Sequence, residues 1–121
     1  MYLLKVKNTF SSAHNIEGYP GKCGNIHGHN YTVTATFKTE TLNHLDIAFD
    51  FSDAKSILKN VTSQLDHTNL NLLPQFNGIN PTAERIAKII FEHLMNLLPD
   101  KISIYEVEVE ETPSNSAIYR P

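Results

Sequence analysis

Cysteine is nearly absent from this 121-residue chain, which contains only Cys23. A lone cysteine cannot form an intrachain disulfide, so a disulfide-stapled framework is excluded and a reducing compartment is indicated. No apolar run approaches the roughly 20 residues that a membrane-spanning helix needs. The N-terminal segment is too short and too charged for a signal peptide. We therefore expect a soluble, cytoplasmic protein with no membrane partner.

Basic residues are also scarce. The formal net charge is -3, and Arg85 and Arg120 are the only arginines. Without a basic stripe we expect no nucleic-acid partner, although a few local cations can still serve a phosphorylated small substrate. The chain is 40% hydrophobic and 19% charged, as in ordinary globular proteins. It has no repeat, linker or low-complexity stretch, which predicts one domain over residues 1–121.

Alternating apolar and polar residues predict the strands. The first covers residues 2–14, and a glycine-rich loop over 15–26 separates it from a second strand that begins near His27. We expect a short third strand over 47–51 and a last strand whose apolar face carries Tyr105, Val107, Val109 and Glu111.

Two amphipathic helices follow from apolar residues at helical spacing. Ser52 is the expected N-cap of the first helix, and Asn80-Pro81 the expected cap and first turn of the second. Hairpin-connected strands with grouped helices predict an α+β fold, an antiparallel sheet with two helices on one face.

The histidines form the strongest chemical pattern. His27 and His29 lie two residues apart and share one strand face, and His14 lies on the matching face of the first strand. If the strands pair, the three imidazoles converge, which predicts a catalytic zinc site with an open fourth position. Copper, iron and nickel also accept imidazole. A single strand histidine is usually an ordinary polar residue, but this combination favours a metal site.

Cys23 precedes the histidine pair in the glycine-rich loop. A lone cysteine is usually a small buried hydrophobe, but such a loop is a poor place to bury one. Beside a metal its pKa falls, and the thiolate then acts as a base or nucleophile. The alternative is that Cys23 is a fourth ligand that closes a structural site. The residues alone leave both open.

Carboxylates supply two further candidates. Asp66 and His67 follow the first helix and can orient and activate a thiolate, although such a pair often marks only a helix end. Glu111 lies on a mostly apolar strand face and needs a partner, such as a ligand with paired N–H donors. The alternative for Glu111 is an exposed strand end.

Taken together, these residues resemble the 6-pyruvoyltetrahydropterin synthase / 6-carboxytetrahydropterin synthase family along essentially the whole chain. The motifs that carry the resemblance are, in chain order, Ser12-Ala13-His14, Cys23-x3-His27-Gly28-His29-Asn30-Tyr31, Asp50-Phe51, Leu65-Asp66-His67 with Leu70-Asn71, Pro81-Thr82 with Glu84, and Glu111-Thr112. The resemblance implies the tunnelling fold (T-fold), whose antiparallel sheets join into an oligomeric barrel. Such subunits commonly form trimers stacked into a homohexamer with active sites at subunit interfaces.

The resemblance also implies residue roles. The positions of His14, His27 and His29 bind Zn²⁺ in the family, and that of Cys23 supplies the proton-abstracting base. Asp66 and His67 match the pair that tunes this base. Glu111 matches the glutamate that anchors the pterin ring, and Thr82 matches a threonine near the pterin. Lys22 and Arg120 are additional candidates for triphosphate contacts.

Two activities compete within the family. The bacterial queuosine-pathway enzymes usually have Cys-x3-His-Gly-His, as here, whereas the animal-type pyruvoyl synthases usually have a longer gap. The resemblance therefore favours a lyase that converts 7,8-dihydroneopterin triphosphate to 6-carboxy-5,6,7,8-tetrahydropterin, releasing triphosphate and acetaldehyde. The alternatives are 6-pyruvoyltetrahydropterin synthase and a non-catalytic zinc- or pterin-binding module.

Overall fold

Two long strands and a C-terminal hairpin form the sheet. In the computed structural model, which describes residues 1–121, β1 (Tyr2–His14) and β2 (His27–Thr39) pair antiparallel along their whole lengths. β3 (Ser103–Thr112) pairs with the other side of β2, and β4 (Asn115–Tyr119) lies at the far edge. All neighbours are antiparallel, so the predicted four-stranded antiparallel sheet is confirmed.

Two helices cover one face of this sheet. α1 (Phe51–Thr62) packs against β1, and α2 (Ala83–Met95) packs against β3 and β4. The apolar residues of the facing strands and helices form one buried core, because alternation along the strands and helical spacing direct them inward. The predicted arrangement of helices on one face is confirmed. Neither helix is long and apolar enough to cross a bilayer.

The predicted third strand over 47–51 was wrong. The side chain of Asn43 accepts hydrogen bonds from the backbone N–H groups of Leu45 and Ile47, at 2.8 and 3.1 Å. The Asn43 N–H also donates to the Ile47 carbonyl, at 2.9 Å. Asparagine side chains compete with strand pairing for backbone groups in this way, and here Asn43 folds the segment into a tight turn. The fourth strand is instead β4, which the sequence pattern did not predict.

A bulge in β3 alters the face assigned to Tyr105. β2 pairs Thr36 with Glu106 and then Phe37 with Ile104, so Tyr105 is the extra residue. Ile104 is therefore buried with Val107 and Val109, whereas Tyr105 is only half-buried. The prediction that Tyr105 shares the face of Val107 and Val109 was wrong.

Both predicted helix caps were wrong by two residues. α1 is capped by Asp50, whose carboxylate accepts from the Ser52 N–H at 2.7 Å. α2 is capped by Thr82, whose hydroxyl accepts from the Arg85 N–H at 3.2 Å. Asn80 makes a long-range contact instead.

The Asp50 cap leads to a stability prediction. Asp50→Ala should lower the free energy of unfolding by about 1 kcal/mol, because the Ser52 N–H loses its acceptor. Ser52→Ala is the matched control and should change it by less than about 0.5 kcal/mol. Urea unfolding monitored by circular dichroism measures both. A larger loss in Ser52→Ala than in Asp50→Ala would contradict the assignment.

Candidate active site

Three histidines converge at the end of the sheet where β1 stops and β2 starts. His14 lies directly opposite His27 in the β1–β2 register, and His29 follows on the same face of β2. The Nε2 atoms of His14 and His27 are 3.0 Å apart, and one ligand atom from each of the three rings lies within 4.8 Å of the others. The predicted convergence of the three imidazoles is therefore confirmed.

Backbone carbonyls fix the tautomers of two of these rings. His14 Nδ1 lies 2.7 Å from the Pro81 carbonyl, and His27 Nδ1 lies 2.7 Å from the Asn25 carbonyl. A carbonyl only accepts, so each Nδ1 carries the hydrogen and each neutral ring has a lone pair on Nε2. Burial lowers the pKa of His14, which favours the neutral ring. When both rings are neutral, their Nε2 lone pairs face each other across 3.0 Å. A bound cation would relieve this repulsion.

Glu111 and His29 extend the same donor set. Glu111 Oε1 lies 3.5 Å from His29 Nε2, and Glu111 Oε2 lies 3.9 Å from His14 Nε2. His29 Nε2 is buried and has no hydrogen-bond partner within the chain. Imidazole nitrogens directed at one point suit a divalent transition metal, and a nearby carboxylate adds negative charge. The residues therefore fit a zinc ion, with His14, His27 and His29 as its ligands.

Tyr31 forms the apolar floor beneath the histidines. Its ring stacks on Phe10 with centroids 4.8 Å apart and meets the edges of His14 and His29 at 5.9 and 5.6 Å. The hydroxyl is buried without a partner. Burial, with the nearby charge of Glu111, raises the pKa of Tyr31, so the phenol stays neutral.

Cys23 lies in the loop that leads to this site and outside the ligand cluster. It occupies a single-turn 3-10 helix (Lys22–Gly24) in the β1–β2 loop and is half-buried. The residues grouped closely enough to hold a metal are the three histidines, without the thiol. A side chain on Gly24 would approach the Tyr19 carbonyl to 2.7 Å, so glycine is required for this loop to fold. The geometry favours a free thiol over a fourth metal ligand.

Asp66 and His67 contact each other at the outer edge of β1. His67 Nδ1 lies 3.0 Å from Asp66 Oδ2, and the Ser11 N–H donates to Asp66 Oδ1 at 2.8 Å. This backbone hydrogen bond, with the His67 contact, holds the pKa of Asp66 below its usual value. His67 is exposed and adopts a left-handed φ of 54°, a conformation uncommon outside glycine. No hydrogen bond joins either residue to Cys23 within the chain.

An open cleft of about 370 Å³ lies between His67 and the start of β2. It is lined by Ser11, Ser12, Ala13, Gly28, His29, Asn30, His67 and Thr68. Two larger clefts, of about 580 and 650 Å³, are lined mainly by apolar residues and contain none of the predicted site residues. The cleft of about 370 Å³ lies at the histidine end of the sheet, and two of the predicted site residues, His29 and His67, line it.

The other residues predicted to contact the substrate differ in whether they already bind another residue of the chain. Arg120 donates two hydrogen bonds to the Glu106 carboxylate, at 2.6 and 3.1 Å, and lies over the Tyr105 ring. It is therefore engaged at the β3–β4 side of the sheet. Lys22 is exposed, makes no ion pair within the chain and is adjacent to Cys23. Thr82 follows Pro81, whose carbonyl holds His14.

The sheet order, the two helices on one face and the overall path of the chain define the class of protein: this is a tunnelling fold. A solved structure of Caenorhabditis elegans 6-pyruvoyl tetrahydropterin synthase superposes with a TM-score of 0.87 at 27% identity, covering 99% of this chain and 95% of that one. The predicted fold class is confirmed.

The sequence comparisons identify the family. The family model described as 6-pyruvoyl tetrahydropterin synthase matches residues 3–121, and the chain belongs to this family. A 6-pyruvoyl tetrahydrobiopterin synthase of Dictyostelium discoideum is 33% identical, covering 98% of this chain and 95% of the relative. A 6-carboxy-5,6,7,8-tetrahydropterin synthase of Bacillus subtilis is 34% identical, covering 84% and 72%. The prediction of an enzyme of this family, a lyase, is confirmed.

Some residues of the site were not recognised in the sequence. The carbonyls of Pro81 and Asn25 orient two histidines, and backbone carbonyls carry no side-chain signal. Asn71 and Asn80 hold the loop that carries Cys23. Asn71 belongs to a motif that carries the family resemblance, and the Asn80-Pro81 pair predicts a helix start, but neither pattern indicates a contact with the Cys23 loop.

Proposed function

We propose that the protein converts 7,8-dihydroneopterin triphosphate and one water to 6-carboxy-5,6,7,8-tetrahydropterin, triphosphate and acetaldehyde, in 7-deazaguanine and queuosine biosynthesis. Relatives named for this activity and relatives named for pyruvoyl synthesis have similar identities, 34% and 33% in the two examples above. Overall similarity therefore does not separate the two activities. The observation that carries the proposal is the three-residue spacing between Cys23 and His27.

We infer that the site holds one zinc ion on His14, His27 and His29. The tautomers of His14 and His27, and the partnerless Nε2 of His29, support this assignment. When bound, the ion acts as a Lewis acid that lowers the pKa of substrate hydroxyls and of the adjacent C–H. The carbonyls of Pro81 and Asn25 keep the ligand nitrogens directed at one point, which reduces the reorganisation needed for binding.

Substrate orientation is assigned to Glu111, Thr82 and Lys22. A carboxylate accepts two parallel N–H bonds from a guanidine-like edge, and the amino-pyrimidine edge of a pterin presents such donors. Glu111 lies 3.5 Å from His29, so a ring anchored there has its side chain beside the histidines. Thr82 follows Pro81, whose carbonyl contacts His14, so its side chain is assigned a contact with the pterin near that histidine. Lys22 is exposed beside Cys23 and supplies a cation for the triphosphate.

Proton transfer is assigned to Cys23. Its thiolate removes a proton from the substrate side chain and returns it, which leads to side-chain cleavage. Asp66 and His67 tune this base. Because no hydrogen bond joins them to Cys23 within one chain, we propose that the pair acts on the thiol of a neighbouring copy. The exposed position of His67 supports this arrangement.

We propose that the subunits form a homohexamer of two stacked trimers. β1 and β4 are the edges of the sheet; the chain covers the β1 edge only near its end, at Ser11 and Ala13, and β4 has no further strand beyond it. Their free backbone groups can pair with another copy, and closing the sheet into a barrel removes both edges. Such an assembly brings sites from different copies together.

Product identification tests the activity directly. Incubation of the zinc-loaded protein with 7,8-dihydroneopterin triphosphate should yield 6-carboxy-5,6,7,8-tetrahydropterin and one acetaldehyde for each triphosphate released. Anaerobic quenching followed by mass spectrometry measures the pterin, and an alcohol dehydrogenase assay measures acetaldehyde.

Three outcomes are distinguishable. If 6-pyruvoyltetrahydropterin is the main product and acetaldehyde is absent, the proposal is wrong and the pyruvoyl synthase alternative is correct. If the protein binds the pterin without turnover, it is a binding module. Heat-treated protein is the control for spontaneous breakdown of the substrate.

A further inference from the structure

We propose that Asn71 and Asn80 are positioning residues that fix the Cys23 loop against the histidine cluster. This inference rests on the proposed function, because it assigns the two asparagines a role in placing the proposed base. Neither residue lies in the histidine cluster. Both lie in the connection between α1 and α2, far in sequence from the loop that they hold.

Asn80 binds the backbone of Glu17 in both directions. Its Oδ1 accepts from the Glu17 N–H at 3.0 Å, and its Nδ2 donates to the Glu17 carbonyl at 3.2 Å. A carboxamide has one acceptor and donors in a fixed plane, so it reproduces the pairing of a neighbouring strand. No regular strand pairing is available to Glu17, which lies beyond the end of β1.

Asn71 makes the same pair of contacts two residues earlier. Its Oδ1 accepts from the Asn15 N–H at 2.9 Å, and its Nδ2 donates to the Asn15 carbonyl at 2.9 Å. Two carboxamides therefore hold alternate residues on one side of the segment that follows His14. A repeated two-way contact of this kind fixes both the position and the direction of the backbone.

The opposite side of this segment holds Cys23 itself. The N–H of Ile16, the residue between the two clamped positions, donates to the Cys23 carbonyl at 2.8 Å. The loop then leads to Asn25, whose carbonyl orients His27. The backbone of Cys23 is thus tied by one hydrogen bond to a segment that the two asparagines hold from the other side.

Asn80, Pro81 and Thr82 are consecutive, and each contacts a different element: the Cys23 loop, His14 and the start of α2. Asn80 holds Glu17, the Pro81 carbonyl accepts from His14 Nδ1 at 2.7 Å, and Thr82 caps α2. A shift of this tripeptide would move the thiol loop relative to the buried histidine. This explains why Asn80 is not the helix cap: its side chain is engaged by Glu17.

The test is Asn80→Asp, which keeps the acceptor and the size but replaces the Nδ2 donor by an oxygen facing the Glu17 carbonyl. Small displacements of a reacting group cost up to about a hundredfold, so we expect kcat to fall about tenfold or more while KM changes by less than about threefold. Zinc should remain at one per chain. The rate of Cys23 alkylation by iodoacetamide and the hydrogen exchange of the Ile16 and Glu17 amides should both change.

The matched control is Asn96→Asp, which removes a similar Nδ2 bond, to the Glu92 carbonyl at 3.2 Å, at the exposed end of α2. It adds the same charge and should leave kcat, alkylation and exchange in the loop unchanged. Asn71→Asp is the second variant and should reproduce the effects of Asn80→Asp. Thermal unfolding of each variant separates loss of fold from loss of positioning.

The outcomes separate this inference from the proposed function. If wild-type protein shows no turnover, the proposed function is wrong, and the alkylation and exchange rates alone decide whether the asparagines hold the loop. If Asn71→Asp and Asn80→Asp alkylate and exchange like the wild type, the inference is overturned. It is also overturned if their effects equal those of Asn96→Asp.

Discussion

Replacing Cys23 by alanine should reduce turnover by about a thousandfold, because a positioned general base contributes about 10² to 10⁴ to the rate. The thiol lies outside the group of residues that can hold a metal, so the zinc content should remain at one per chain. The structure supports a selective effect, since the Cys23 loop is held by backbone hydrogen bonds that do not use the side chain. Acetaldehyde release measures turnover, and elemental analysis measures zinc.

Cys23→Ser provides the matched comparison. A hydroxyl is nearly the same size but is far less acidic than a thiol, so this variant should also be almost inactive while it keeps the fold and the metal. Turnover that survives in Cys23→Ala would remove the thiol from the mechanism. Loss of zinc in that variant, or sulfur ligation in the X-ray absorption spectrum of the resting protein, would instead make Cys23 the ligand that closes a structural site.

The convergence of the histidines was predictable because strand alternation is a local rule. His14, His27 and His29 each lie on a face that the neighbouring apolar residues define, and the antiparallel pairing of β1 with β2 then brings them together. The same rule placed Glu111 on this face, although its closeness to His29 depends on the register of β3 with β2. That register was not readable from the pattern.

The asparagines show where local rules stop. Asn43, Asn71 and Asn80 all bond to backbone groups, but Asn43 closes a turn within five residues and the other two hold segments more than fifty residues away. Their local sequence does not separate these uses, because a carboxamide satisfies a near or a distant backbone group equally well. The cap of α2 was misassigned for this reason.

The relation of Cys23 to Asp66 and His67 lies beyond both the sequence and one chain. Asp66 is held beside β1 because its carboxylate accepts a hydrogen bond from the Ser11 N–H. Nothing in the pattern indicates which thiol the pair serves. In the proposed homohexamer that contact depends on how copies of the sheet meet at the edges β1 and β4, and no local motif encodes it.

Replacing His29 by alanine should weaken zinc binding by at least about a hundredfold, because loss of even an outer-shell partner of a metal ligand costs about 10- to 100-fold. Turnover should be lost together with the metal. His29 is the most informative ligand to remove, because its Nε2 has no hydrogen-bond partner that the substitution would leave unpaired. His44→Ala is the matched control, since His44 is exposed and lies outside the cluster. Isothermal titration with zinc measures both variants.

Chelation tests whether the three histidines hold a metal ion that stabilises the folded protein. A ligand that binds only the folded state at a hundred times its Kd stabilises it by about 2.7 kcal/mol, so a chelator should lower the Tm of the wild type by several degrees. His44→Ala should respond like the wild type. His29→Ala should be insensitive to the chelator, since it no longer holds the metal. If His29→Ala binds zinc as tightly as the wild type, or if chelation leaves the wild-type Tm unchanged, the three histidines are not a zinc site.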